Sequence, residues 1–326
     1  MNWGQILEQT LTAILSPTTI AYAIAALGLA VHFGFSGLLN MGVAGFMALG
    51  AYGYAISVLT FGLPWWTGAL IGLVAAAVFA VILGIPTLRL RGDYLAIATI
   101  AMAEVVRLLF LTTAFDEVTG SADGLSGYHA SLRSMNPIPP GSYGFGPWTY
   151  TETGWWVRIL GLIALAIATV FVWLLVRSPW GRVLKGIRED EDAVRALGKN
   201  VFSYKMQALV VGGVITAIGG IVWVMPSAVN PQSFQTSTTF FVWTALLLGG
   251  AATVFGPLLG AVIFWVVRAF LGVFLAGLGE AGILPFLSTS EAASLRDVLI
   301  GVALILIVVF RPQGILGNKK ELTFAH

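Results

Sequence analysis

The sequence predicts an all-α, polytopic membrane protein with a single domain over residues 1–326. The chain is 58 % hydrophobic and only 10 % charged, which makes it more apolar than soluble globular proteins. Its apolar runs are continuous, as in membrane-spanning helices, whereas the strands of a membrane barrel alternate apolar and polar residues. The charged residues are concentrated in short segments between these runs. These three observations exclude a soluble domain and favour a bundle of transmembrane helices.

The apolar runs predict the number of helices. A helix needs roughly 20 residues to cross the hydrocarbon core of a bilayer. We predict about nine crossings, within a range of eight to ten because GFSGLLNMG and GGAATVFGP interrupt two of the runs. The predicted spans are 19–34, 42–61, 65–85, 94–114, 156–176, 206–225, 240–254, 257–279 and 296–310.

The distribution of Lys and Arg predicts the orientation of the bundle. If the N-terminus is outside, the loops 35–41, 86–93, 177–205 and 255–256 and the tail 311–326 are inside. The inner segments then carry twelve Lys and Arg, and the outer segments carry three. Because positive residues accumulate in cytoplasmic loops, this bias predicts that the N-terminus is outside and the C-terminus inside. The loop 115–155 is then outside, either as a solvated connector or as a docking surface.

The inner loop 177–205 contains a highly polar stretch, KGIREDEDAVRALGKN. Four consecutive acidic residues at 189–192, the basic residues after them and Gly198 predict one short helix over about 188–197. A helix this short is marginal alone in water, so it needs a surface to lie on. Anionic lipid headgroups would repel the four acids. The pattern therefore favours a cytoplasmic protein partner over the membrane surface or an ordinary positively charged loop.

Several segments, taken in order, resemble the bacterial branched-chain amino acid ABC transporter permeases of the LivM type. They are GFSGLLNMGVAGFMALGAY (34–52), LRLRGDYLAIATIAMAEVVRLL (88–109), TGSADGLSG (119–127), SPWGRVLKGIREDEDAVRALGKNVFSYK (178–205), and LLLGGAATVFGPLLGA (246–261) with FRPQGILG (310–317). The resemblance covers about residues 30–317. It implies a permease subunit, and not an enzyme, of an ATP-driven importer for leucine, isoleucine and valine in the bacterial inner membrane.

The resemblance also implies partners. These are a second, LivH-like permease, two ATP-binding subunits like LivG and LivF, an extracytoplasmic solute-binding protein and the membrane lipid. ATP is expected on the ATP-binding subunits, and no cofactor on this chain, which has no G-x-x-x-x-G-K-[ST] phosphate loop. A net charge of +2 gives no indication of nucleic-acid binding. Because the chain has no Cys and no clustered His, we expect neither a metal site nor catalytic residues.

In the resembling family the predicted inner helix would lie in a groove of one ATPase. Closure of the ATPase would move the helix and, with it, the transmembrane path. The residues expected to make this contact are Arg188, Glu189, Asp190, Glu191 and Asp192 through polar groups, Val194 and Leu197 through apolar groups, and Gly198 at the end of the helix.

Two groups of residues inside the predicted spans are candidates for the translocation path. The Gly-rich segment 34–50 interrupts a helix, and interrupted helices often line a transporter cavity because their freed backbone groups need partners. Glu104 and Arg107 lie three residues apart and are expected to pair, either lining the path or as a buried structural pair. Many relatives carry Gln or His at Val43, so no hydrogen bond to substrate is expected there. The path candidates are Asn40, Gly42, Val43, Gly45, Glu104 and Arg107.

Other residues inside the spans are expected to have structural roles. We expect His32 and His129 to be structural histidines, and Arg268 to reach a helix end or an internal carbonyl. Small residues at four-residue spacing let helix backbones approach closely, which is how membrane helices associate. They are Gly68, Gly72, Ala76, Ala80 and Gly84 and, more weakly, Gly212, Thr216 and Gly220.

Three alternatives differ from this interpretation. Urea and short-amide importers have closely related permeases, and no residue of this chain distinguishes their cargo. A stand-alone secondary transporter would carry its own ion-coupling groups, whereas Glu104 is the only acid well inside a predicted span. An intramembrane enzyme would need a nucleophile with a base or a metal cluster, for which the sequence offers only scattered serines.

Overall fold

The computed structural model describes residues 3–90, 92–280, 289–311 and 313–317, which are mostly helical. The α-helices are α1 Trp3–Thr12, α2 Pro17–Leu29, α3 Val43–Leu59, α4 Trp65–Thr87, α5 Gly92–Leu111, α6 Asp116–Thr119, α7 Ala130–Ser134, α8 Glu152–Arg177, α9 Pro179–Glu189, α10 Glu191–Ala196, α11 Val201–Val224, α12 Thr236–Gly249, α13 Gly256–Glu280 and α14 Thr289–Phe310. A π-helix, Ala30–Phe35, continues α2, and the 3₁₀ helices are Ala13–Leu15, Thr113–Phe115 and Pro231–Phe234. The outer loop contains a small antiparallel pair, β1 Ser142–Tyr143 and β2 Tyr150–Thr151.

Each of the predicted apolar spans overlaps one of these helices. Within the described residues, six helices are long and apolar enough to cross a membrane, namely α2 with its π-helix, α4, α5, α8, α11 and α13. The helices α3 and α12 are shorter and equally apolar in character. The predicted span 296–310 lies within α14. The architecture is thus that of a polytopic helical membrane protein.

Small residues hold the centre of the bundle together. The predicted stripe along α4, from Gly68 to Gly84, is buried, and so are its counterparts in α11. A Cβ on Gly72 would lie 2.5 Å from the carbonyl oxygen of Gly50 in α3, so only glycine permits this approach. On the other side of α3, Gly220 of α11 contacts the backbone of Met47. The small-residue packing predicted from the sequence is confirmed, with α2, α3 and α11 at its centre.

The predicted outer segments contact one another at one end of the bundle. Leu125 of the loop 115–155 pairs as a β-bridge with Val229, which follows α11. The hydroxyl of Tyr128 donates to the carbonyl of Val224 at 3.0 Å. The outer loop is therefore anchored to the bundle by backbone and side-chain hydrogen bonds, and its tip stays exposed.

In the described part of the tail, residues 313–317 contact the C-terminal end of α12. The amide of Ile315 donates to the carbonyl of Leu248 at 3.0 Å, and the amide of Leu316 donates to that of Gly249 at 2.9 Å. These bonds satisfy carbonyl groups at the C-terminus of α12, which have no partner within their own helix. The segment after α14 thus closes the inner end of α12.

The structure places two residues that the sequence predicts to be structural, His129 and Arg268. His129 is half-buried in the outer loop, where burial and then the charge of Arg133 lower the pKa of its imidazole. Arg268 of α13 forms an ion pair with Asp297 of α14 at 2.6 Å and lies 4.6 Å from the ring centroid of Phe241. The expectation that Arg268 reaches a helix end or a carbonyl is corrected, because a carboxylate on the neighbouring helix is available.

Candidate translocation and coupling site

The first membrane helix is broken at its C-terminal end. After the π-helix Ala30–Phe35 the chain is not helical until α3 begins. In the π-helix beside this break, Nε2 of His32 lies 3.0 Å from the carbonyl oxygen of Leu209, and its Nδ1 lies 3.0 Å from Nδ2 of Asn40. A carbonyl only accepts, so Nε2 carries the proton and Nδ1 accepts from Asn40. The amide of Gly42 donates to Oδ1 of Asn40 at 2.7 Å, which fixes the orientation of that side chain.

Hydrogen bonds fasten the non-helical segment 36–42 to two further helices. The amide of Met41 donates to the hydroxyl of Thr99 in α5 at 2.9 Å. The indole Nε1 of Trp243 in α12 donates to the carbonyl of Asn40 at 3.1 Å. Freed backbone groups in a membrane protein must find such partners, because the hydrocarbon core offers none. The predicted interruption is confirmed, and it links α2, α5, α11 and α12.

The predicted path residues near this break are closely packed. Val43 is fully buried at the start of α3. A Cβ on Gly42 would lie 2.6 Å from the carbonyl oxygen of Thr99, and one on Gly45 would lie 2.9 Å from Cα of Ala103. In this structure Gly42 and Gly45 bring α3 against α5, and Val43 lies in the interior. Their contact with a substrate remains a prediction.

Glu104 and Arg107 form the predicted ion pair on α5. Nε of Arg107 donates to Oε1 and Oε2 of Glu104 at 3.0 and 2.9 Å. Nη1 of Arg107 also donates to the side-chain oxygen of Gln232, at 3.3 Å, in the 3₁₀ helix that follows α11. The side chain of Arg107 is 13 % exposed and that of Glu104 is 38 % exposed. The pairing is confirmed, and lining of the path by this pair remains a prediction.

The inner charge block forms two helices, and the single helix predicted over 188–197 is wrong. The break is at Asp190, whose φ of −153° and ψ of 104° are those of extended backbone. Its carboxylate accepts from the amide of Ala193 at 2.9 Å and so caps α10. An Asp in this position satisfies an orphan amide, which stabilises a new helix start more than continuation of the old one.

The two short helices are supported by the bundle and by each other. Leu184 and Ile187 of α9 are buried against the membrane helices. Val194 of α10 packs toward α9, where a Cβ on Gly186 would lie 3.1 Å from its methyl group. Val194 therefore contributes to internal packing in this structure. The sequence predicts that a short helix here needs a surface to lie on. In this structure the bundle and the neighbouring short helix provide part of that surface.

Two ion pairs lie within α10, and a third joins α10 to α11. The carboxylate of Glu191 accepts from Arg195 at 3.0 Å and also pairs with Lys205 of α11. Asp192 accepts from Arg195 at 2.7 Å. Most of these pairs are exposed, so each contributes little stability, and the partly buried bond of Lys205 sets the position of α10 relative to α11.

Several residues of the charge block are exposed, and five of them form one surface. We call this surface the inner acidic face. The side chain of Asp192 is 88 % exposed and that of Glu189 is 64 % exposed, and Leu197 is 79 % exposed. Gly198, which ends α10 with a φ of +76°, has no neighbour where its Cβ would be. The face consists of Glu189, Asp190, Asp192, Leu197 and Gly198.

Arg188 lies largely buried beside this face and pairs with one member of it, Glu189. Its side chain is 13 % exposed, and Nη1 donates to the backbone carbonyl of Gly34 at 2.5 Å. Nε and Nη2 donate to one carboxylate oxygen of Glu189 at 3.1 and 2.6 Å. The sequence predicts a contact of Arg188 with a partner, and it gives no indication of the bond between Arg188 and Gly34. No local signal indicates a bond between residues so far apart in the chain.

Comparison with known proteins identifies the family. Residues 11–308 match the family described as "Branched-chain amino acid transport system / permease component". The chain belongs to this permease family. It is 33 % identical to the high-affinity branched-chain amino acid permease LivM of Salmonella typhimurium, over 93 % of this chain and 69 % of that protein.

More distant relatives are also permeases. The chain is 26 % identical to the probable branched-chain amino acid permease LivM of Methanocaldococcus jannaschii, over 93 % of this chain and 92 % of that protein. It is 25 % identical to the guanosine ABC transporter permease NupQ of Bacillus subtilis, over 78 % of this chain and 80 % of that protein. The chain is therefore a LivM-type permease, a multi-pass transporter subunit and not an enzyme.

Proposed function

We propose that this LivM-type permease is one membrane subunit of an ATP-driven importer for leucine, isoleucine and valine in the bacterial inner membrane. The observation that carries the proposal is the 33 % identity over 93 % of the chain to a permease named for this cargo. A LivH-like permease would complete the path, and two ATP-binding subunits would supply the energy. A solute-binding protein would deliver the amino acid from the outer side.

The face of α5 that carries Glu104 is proposed as this chain's half of the path. Tyr94, Ile97, Val105 and Leu108 along α5 are exposed in the isolated subunit, as is part of Glu104. An unpaired charge facing lipid at the bilayer centre costs roughly 2.5–3.5 kcal/mol on insertion scales, and contact of a paired but 38 % exposed carboxylate with lipid is also unfavourable. That cost supports a second permease or a water-filled path, and not lipid, against this face.

The inner acidic face is proposed as the contact with an ATP-binding subunit. It combines exposed carboxylates with an exposed Leu197, and it projects from two helices that the bundle holds in place. An exposed leucine surrounded by charges is the arrangement expected where an apolar anchor enters a partner's pocket within a polar rim. The positive charge of the inner segments supports a cytoplasmic location for this face.

Uptake by the complete transporter tests the proposed function. The chain is purified with the subunits that co-purify with it, reconstituted into vesicles, and supplied with the binding protein. We expect uptake of labelled leucine, isoleucine and valine that requires ATP and stops with a non-hydrolysable ATP analogue. Uptake of urea without leucine would instead indicate an amide importer, and leucine uptake by this chain alone would indicate a secondary transporter.

A further inference from the structure

Arg188 closes the broken end of the first membrane helix. The last carbonyl groups of a helix have no partners within it, and cations are stabilised beside them by the helix dipole. Gly34 lies in the last turn of the π-helix, and its carbonyl accepts from the guanidinium of Arg188 at 2.5 Å. Arg188 itself is in the last turn of α9. The side chain of Arg188 thus lies at the C-terminal ends of two helices, α9 and the π-helix that continues α2.

The backbone around this contact leaves no free space. Gly37 has a φ of +73°, and a Cβ there would lie 3.2 Å from Cγ of Arg188. A Cβ on Gly34 would lie 2.7 Å from the carbonyl carbon of Ala251, in the turn after α12. Groups packed this closely move together, because protein interiors are dense and have low compressibility. A displacement of Arg188 therefore acts directly on the broken helix.

The residues that follow Gly37 are hydrogen-bonded to neighbouring helices, so a displacement of Gly37 would also move those helices. Asn40 is bonded to His32 through its side chain and to Trp243 of α12 through its carbonyl. Met41 is bonded to Thr99 of α5. The segment 36–42 therefore connects the guanidinium of Arg188 with α5 and α12, and α5 carries the pair of Glu104 and Arg107.

We propose that Arg188 is a positioning residue that transmits movement of α9 and α10 to the broken end of α2, and that it does not contact the ATPase. The inference rests on the proposed function, because it takes ATP-driven movement of the inner acidic face as given. Glu189 accepts from Nε and Nη2 of Arg188 and so connects that face with the guanidinium. The path of the signal is Glu189, Arg188, Gly34 and then the segment 36–42.

The first test compares substitutions of Arg188 in the reconstituted complete transporter. We expect Arg188→Gln to lower leucine uptake about tenfold, as loss of one charge-assisted hydrogen bond would, while substrate-stimulated ATP hydrolysis stays within about twofold of wild type. Arg188→Lys, which keeps the charge, should recover part of the uptake. Arg182→Gln removes the same charge from an exposed position of α9 and should leave the ratio of uptake to hydrolysis unchanged. Equal losses of uptake and hydrolysis, or loss of the ATPase from the complex, would overturn the inference.

The second test follows the segment 36–42 directly. The chain has no Cys, so Leu39→Cys gives a single labelling site. We expect ATP to change the rate at which a maleimide labels this thiol in the complete transporter, and we expect Arg188→Gln to abolish that change. If the change persists with Arg188→Gln, or if ATP causes none in a transporter that takes up leucine, the inference is wrong. If the transporter with intact Arg188 shows no ATP-driven uptake, the proposed function fails and the inference fails with it.

Discussion

At the scale of single residues, buried hydrogen bonds explain why polar side chains occur among apolar helices. Asn40 is 1 % exposed, and both ends of its amide are used, one by His32 and one by the backbone of Gly42. A buried polar group without a partner is costly, whereas one with all its partners fixes a unique arrangement. Asn40 therefore stabilises one conformation of the broken helix.

Replacement of Asn40 tests this role. We expect Asn40→Ala to lower the free energy of unfolding by about 1–3 kcal/mol, because it leaves Nδ1 of His32 and the amide of Gly42 without partners. Thermal unfolding of the purified protein in detergent measures the loss. The control is Asn200→Ala, which removes an exposed cap of α11. A smaller decrease of Tm for Asn40→Ala than for Asn200→Ala would contradict the assigned role.

The same residues show what sequence can predict at this scale. Glu104 and Arg107 are three positions apart in a continuous helix, so helix geometry alone predicts their pairing. The contact of Arg188 with Gly34 joins positions 154 apart, and it depends on how α9 docks against the bundle. The orphan carbonyls of a broken helix imply that some donor is present, but local spacing does not identify it.

At the scale of helices, close backbone approach determines which elements form the centre. Gly220 of α11 contacts Met47 of α3, and a Cβ on Gly220 would lie 2.7 Å from Cα of Met47. Lipid competes equally for apolar side chains, so this packing of small residues supplies much of the association between membrane helices. The predicted small-residue stripes were therefore reliable guides to the interior.

A single added methyl group tests the packing of α11 against α3. We expect Gly220→Ala to destabilise the protein by about 1–3 kcal/mol, because the methyl group overlaps backbone that has no room to move. Gly301→Ala is the matched control, since no atom lies within 4 Å of the added Cβ in α14. Tm and the monodisperse fraction after gel filtration measure both variants. Equal Tm values for the two variants would contradict close packing at Gly220.

Short elements were less predictable than long ones. The apolar spans were located because each is long and continuous, whereas α1, a short helix with few buried residues, was not predicted at all. In the charge block the pattern of acids and bases fitted one helix, although Asp190 is also a good N-cap residue. Burial of Leu184 and Ile187 fixes α9 on the bundle and favours two helices with a break at Asp190 over one continuous helix. Local sequence patterns do not predict that burial, because it depends on residues far away in the chain.

At the scale of the whole molecule, the contacts between loops and the distribution of charge agree. The inner segments meet through Arg188 and Gly34, and the outer segments meet through Leu125 and Val229. The charge bias predicts that the first group lies in the cytoplasm. Alternation of the spans is enough to predict which loops share one side of the membrane. The contacts between those loops could not be predicted, because they depend on how the helices pack.

Labelling of single cysteines tests the orientation. We expect Ser142→Cys, in β1 of the outer loop, to react with a membrane-impermeant maleimide in intact spheroplasts. Lys199→Cys, beside the inner acidic face, should react only after permeabilisation. Both positions are exposed, so accessibility to solvent is matched and only the side of the membrane differs. Reaction of Lys199→Cys in intact spheroplasts would reverse the proposed orientation.

Site-specific crosslinking measures whether the inner acidic face contacts an ATP-binding subunit, on which the proposed coupling depends. A photoreactive amino acid replaces Leu197 in the complete transporter, and the same amino acid replaces Ser142 as the control. We expect a covalent adduct between position 197 and an ATP-binding subunit, whose yield changes with ATP, and no such adduct from position 142. An intact complex in which position 197 forms no adduct with that subunit would contradict the proposed contact.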